Sequence, residues 1–178
     1  FGGIGKVSNA SSGSGQGTLY LAGVEGQLHH GDFTFYGQVG YNHVEDDSGS
    51  HWAKDALFAR GAVRHYFNGG DGRLQADVMY MKGDISDDEF DGFAWGVEAE
   101  HLLADYGNGF VSGFLRYEGY SFDEDLNGGG GDHAHAHVVK AGVKVNWGYS
   151  NSMARDHMGA GVDFADMTRA NSLIRGLE

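Results

Sequence analysis

The chain has 178 residues, with 25 Asp and Glu against 12 Lys and Arg, a formal net charge of -13, 32 glycines, and neither cysteine nor proline. That length fits one domain. Absent cysteines exclude disulfides and thiolate metal sites, and the acidic balance without a Lys/Arg cluster argues against a nucleic-acid partner. No stretch approaches the roughly 18 apolar residues of a membrane helix, but closed barrels cross bilayers on strands of about 9 to 11 residues, whose hydropathy signal is weak.

Period-two alternation predicts eight strands, over residues 1 to 8, 17 to 30, 33 to 45, 55 to 67, 73 to 82, 92 to 104, 109 to 120 and 134 to 149. Taking every second residue of the last seven segments, from Tyr20 to Trp147, gives 35 positions with no Asp, Glu, Lys or Arg among them. The residues between carry Arg60, Arg64, Arg73, Arg116, Lys140 and Lys144 against Glu25, Asp77, Glu98, Glu100 and Glu118. One face of each strand is therefore oily and the other ionic with nearly balanced signs. Eight strands leave an interior just wide enough for side chains to fill. The charged face, turned inward, predicts interlocked ion pairs rather than a wide channel.

The connections alternate. Asn9 to Gln16, Glu45 to Lys54, Gly83 to Asp91 and Ser121 to His133 are long, whereas His29 to Asp32, Asn68 to Gly72 and Asp105 to Gly109 are short and have the Gly with Asn or Asp of tight hairpins. In an up-and-down meander this puts all long loops at one end. On the oily face Tyr20, Tyr41, Tyr80, Trp95 and Tyr117 sit toward that end, and His30, Phe33, His65, Phe67 and His101 toward the other, as two interfacial girdles would.

The last strand carries Lys140-Ala141-Gly142-Val143-Lys144-Val145-Asn146-Trp147: a polar residue, Gly two later, then hydrophobics closing on an aromatic. With the eight-strand meander, it resembles the C-terminal signal of small, porin-like, eight-stranded Gram-negative outer-membrane β-barrels, over residues 1 to 149. The resemblance implies an all-β, antiparallel, up-and-down transmembrane barrel, export with loss of any leader, insertion by the barrel assembly machinery, and outer-membrane lipid as partner in a bacterial outer membrane. Such proteins commonly end at the signal, whereas here a tail, residues 150 to 178, follows without alternation. Three roles for it stand open: a periplasmic tail, a short helix against the barrel mouth, or a partner-binding segment.

The long loops hold twelve of the 25 acids. Asp123, Asp125 and Asn127, followed by Gly128, match the first half of a calcium loop, but position 12 is Ala134 where the bidentate Glu belongs. That leaves weak Ca²⁺ binding against a solvated acidic surface. His133, His135 and His137 alternate, so a strand places them on one face about 6.5 to 7 Å apart, a spacing that suits Zn, Cu or Ni once another strand adds a ligand. No tightly bound cofactor is indicated.

Glu98 and Glu100 form a carboxylate pair, but Arg and Lys face the same space, so charge compensation explains them better than acid–base chemistry. No Ser/His/Asp order, phosphate-cradling loop or HExxH pattern is present, and only His43 and Ser121, at loop ends, offer a lipid-facing Ser/His couple. The expectation is a non-enzymatic outer-membrane barrel with a structural, adhesive or interaction role through acidic loops, or limited passage of ions and small solutes. Lateral contact through Gly37, Ala59, Gly61 and Ala76 would build a homo-oligomer or array. The alternative is a soluble eight-stranded barrel holding an apolar ligand inside.

Overall fold

The computed structural model describes residues 2–8, 16–46, 53–85, 88–125 and 131–158. Eight antiparallel strands form one sheet in chain order: β1 (Gly2–Ser8), β2 (Gln16–His30), β3 (Phe33–Asp46), β4 (Ala53–Phe67), β5 (Gly72–Ile85), β6 (Asp88–Asp105), β7 (Gly109–Asp125) and β8 (Gly131–Trp147). A 3-10 turn, Asn68–Gly70, joins β4 to β5, and a helix, α1 (Ser152–Met158), follows β8. The sheet curls into a half-barrel. The described ladders do not join β8 to β1, and β1 pairs with residues 16–22 of β2.

Alternation sets which way each side chain points. None of the 35 uncharged positions is buried, and Val24, Leu28, Phe35, Val39, Leu57, Val78, Val139 and Val143 are among the exposed hydrophobics. The opposite face turns inward with two chemistries stacked along the axis. Toward the long-connection end an apolar layer packs Leu21, Phe58, Met79, Met81, Phe90, Tyr120 and Phe122. Below it lie the charged residues. The ionic face read from alternation is thus ionic over only part of its height. Near the long connections both strand faces carry apolar residues, so alternation there does not announce an inward layer.

The strands also outrun their expected ends. β5 continues to Ile85 and β6 starts at Asp88; β7 runs to Asp125 and β8 from Gly131. Gly and Asp in these stretches read as loop, yet backbone pairing does not require apolar side chains, and the ladders Asp84↔Glu89 and Asp123↔His133 persist beyond the oily belt. Much of the acidic "loop" charge therefore stands on strand extensions.

Candidate functional site

The ionic layer is a network in which carboxylates are shared. Arg116 grips Asp77 through two parallel bonds, Nη1 to Oδ1 at 2.8 Å and Nη2 to Oδ2 at 2.9 Å, and its Nε donates to Glu118 Oε1 at 2.5 Å. Such forked pairing fixes the guanidinium plane as a lysine would not. Glu118 also accepts from Lys140 Nζ at 2.8 Å and Tyr120 Oη at 2.9 Å. Glu98 bridges Arg73 (2.5 Å) and Lys144 (2.6 Å). Glu100, with no exposed side-chain surface, is held by Arg73 at 2.8 Å, Lys144 at 3.2 Å and Ser112 Oγ at 2.7 Å. The Glu98–Glu100 pair is spent on charge compensation, as its surroundings suggested.

Of the three roles open for the tail, a short helix against the mouth matches α1, and this helix completes the network through bonds to the charged layer that sequence reasoning missed. Asn151 caps α1, its Oδ1 accepting from Ala154 N at 2.8 Å while its Nδ2 donates to Gly69 O at 3.0 Å. Gly70 has φ +101°, and a Cβ there would lie 2.7 Å from Met153 Cβ, so glycine lets the helix lie against the turn. So seated, α1 sends Ser152, Arg155, Asp156 and His157 into the half-barrel. Ser152 Oγ and Arg155 Nη1 donate to Glu100 Oε1 at 3.0 and 2.9 Å. Asp156 Oδ2 accepts from Arg73 Nη1 and Tyr66 Oη, both at 2.9 Å. The local signal is the helix start Asn151-Ser152 beside Arg155-Asp156; Glu100, Arg73 and Tyr66, which these residues bond, lie 52 to 90 residues away in sequence.

Burial pushes the Asp156 carboxyl up, but Arg73, Arg155 and Arg64 override it and hold the group below the usual carboxylate range. His157 is shifted down as well, which for a base favours the neutral form: burial, then neighbouring His29, push its imidazole down. Its ring lies 4.1 Å from that of His29 and edge-on to Tyr66 at 5.3 Å, and Thr34 Oγ1 bridges His157 Nε2 (3.0 Å) and His29 Nδ1 (2.8 Å).

Between the apolar layer and α1 lies a cavity of about 470 Å³. Its wall carries Arg60, Arg64, Arg73 and Arg116 from β4, β5 and β7, Lys140 and Lys144 from β8, and Arg155 from α1; the acids lining it are Asp77, Glu98, Glu118 and Asp156. Seven of the chain's 12 basic residues meet there with four of its 25 acids. Glu100 stands directly behind three of the bases, and Glu25, on β2, accepts from Tyr36 Oη at 2.6 Å.

The candidate metal ligands are placed differently. His133, His135 and His137 all point outward on β8, as alternation required. His133 Nδ1 pairs with Asp123 Oδ1 across the ladder, His135 stands opposite Ser121, and His137 stacks on Tyr117 with ring centres 5.8 Å apart and Nδ1 3.0 Å from its hydroxyl. The Asp125 side chain and Asn127 lie outside the described residues. Among the described residues no three His, Asp or Glu come together as a metal-holding set.

Similar polar pairs ring the same end: Tyr20 Oη with Glu45 at 3.1 Å, Tyr41 and His43 both with Asp55, and Lys82 with Glu89 at 2.8 Å. Compared with protein-family models, curated proteins and solved structures, the chain has no match.

Proposed function

We propose that the chain is an integral outer-membrane β-barrel protein without enzymatic activity, which presents an acidic, histidine-bearing rim outside the cell for adhesion or interaction. The observation that carries this reading is the outward face: 35 positions without a charge, none of them buried. Water gives no reason to exclude charge so completely from an exposed wall; lipid does. The belt has a matching height. From Phe33 to Tyr41 on β3 the oily face runs about 27 Å along the strand, or about 20 Å along the axis at a tilt of about 40°, near the apolar band of such barrels. Above it, Tyr and His side chains meet carboxylates, as amphipathic rings do at an interface.

The inward face supports an interaction role over a wide diffusion path, since the apolar layer, ion network and α1 follow one another along the axis. It also gives the wall of the described cavity eleven charged side chains beside Met79, Ala94, Trp95, Phe114 and Tyr120, which disfavours a soluble carrier of an apolar ligand. Insertion by the barrel assembly machinery, with closure of the sheet between β8 and β1 in the bilayer, belongs to the same proposal.

Extraction tests it. The folded protein is expected to require detergent and to migrate on gels as a compact sheet species that shifts when heated. Recovery of a folded, sheet-rich monomer from buffer without detergent would refute the membrane reading.

A further inference from the structure

We infer that the inner cavity is a binding site for a small oxyanion, a solute bearing phosphate or carboxylate oxygens. Three observations carry this, and none depends on whether the outer wall meets lipid. First, the charge balance inverts: the chain has about twice as many acids as bases, yet seven bases line the cavity against four acids, or five with Glu100, which stands directly behind Arg73, Lys144 and Arg155. Second, the carboxylates present are already divided. Glu118 serves Arg116 and Lys140, Glu98 serves Arg73 and Lys144, and Asp156 serves Arg73 and Arg155. The cations share in turn, Arg73 holding Glu98, Glu100 and Asp156 and Arg116 holding Asp77 and Glu118, so it is the excess of bases over acids that leaves attraction for a further anion, and the low-dielectric wall strengthens it. Third, Arg73 Nε is a buried donor without an acceptor among the described residues, on a side chain only 7 % exposed that lines the cavity. An orphan buried N–H is costly, and an incoming oxygen would relieve it.

The chemistry selects the ligand class. Guanidinium groups match the planar spacing of phosphate and carboxylate oxygens and favour them over spherical halide. The volume lies in the range of small-molecule sites. Lys140 and Lys144, about 30 % exposed, mark the side of the cavity nearest solvent.

The full chain, folded and purified, is titrated calorimetrically with sodium phosphate and sodium succinate, with sodium chloride at equal ionic strength as the reference. A saturable heat with one or both oxyanions, absent with chloride, is expected; the tighter probe tells phosphate from carboxylate. Lys140→Gln, at the exposed side, is expected to weaken binding about tenfold with unchanged far-UV circular dichroism. Glu118→Gln, which removes one negative charge beside Arg116 and Lys140, is expected to tighten it, and the anion should raise the unfolding temperature of this variant more than that of the unaltered chain. No saturable heat with either oxyanion, heats equal to those of chloride, or Lys140→Gln binding as tightly as the unaltered chain would each overturn the assignment.

Discussion

His157 shows how one side chain can make the closing of the half-barrel depend on pH. It faces His29, Thr34 and Tyr66 from the sheet and Asp156 from its own helix. Because burial and His29 hold its imidazole below the ordinary 6.5, the undocked helix takes up a proton more readily than the docked one. Its contribution is therefore present above about pH 6.5 and is lost as pH falls below that value. Asp156 has the same sign in a lower window, its depressed carboxyl contributing above 3.8 and losing its effect only as pH falls further. With no native cysteine in the chain, a fluorophore on Met158→Cys is expected to lose anisotropy between about pH 7.5 and about pH 5.5. A flat profile would contradict it. None of this was legible in the sequence, where His157 was one histidine in an unpatterned tail. Its shift comes from side chains brought in by β2, β3 and β4.

At the scale of elements, alternation exposed the strands well and their ends poorly. A single-residue slip would send Arg64 or Glu118 into the oily face, so the register of β3 through β8 is strongly specified, and the outward positions could be assigned one by one. Acidic and glycine-rich strand ends carry no such contrast, which is why alternation alone ends β5 before Ile85 and starts β6 after Asp88. The placement of α1 depends instead on partners remote in sequence. Its one local device is Asn151, and Asn151→Ala is expected to cost about 1 kcal/mol of helix docking. Faster hydrogen exchange at the Arg155 amide, which donates to Asn151 O at 3.1 Å, by about fivefold would register that loss. Unchanged exchange there would mean that Glu100 and Asp156 hold the helix without its cap.

For the whole molecule, the outward face makes a prediction that separates lipid from water. Val143, exposed on β8, is expected to tolerate Arg with little effect if it faces water, but to lose about 2 to 4 kcal/mol of folding stability in a bilayer, or less if it lies near an interface. Folding into vesicles at graded denaturant measures the difference, and equal stability of Val143→Arg and the unaltered chain there would count against a lipid-facing wall.

Glu100 ties the seating of the tail to the register of the sheet. Among the described residues it is the one carboxylate held at once by β5 through Arg73, by β7 through Ser112, by β8 through Lys144 and by α1 through Ser152 and Arg155. If β6 shifted by one residue, Glu100 would point outward and His101 inward. Ser152 and Arg155 would then lose their shared acceptor, leaving α1 the bonds of Asp156 to Arg73 and Tyr66, of Asn151 to Gly69 and of His157 to Thr34, so full seating of the helix depends on the register of β6.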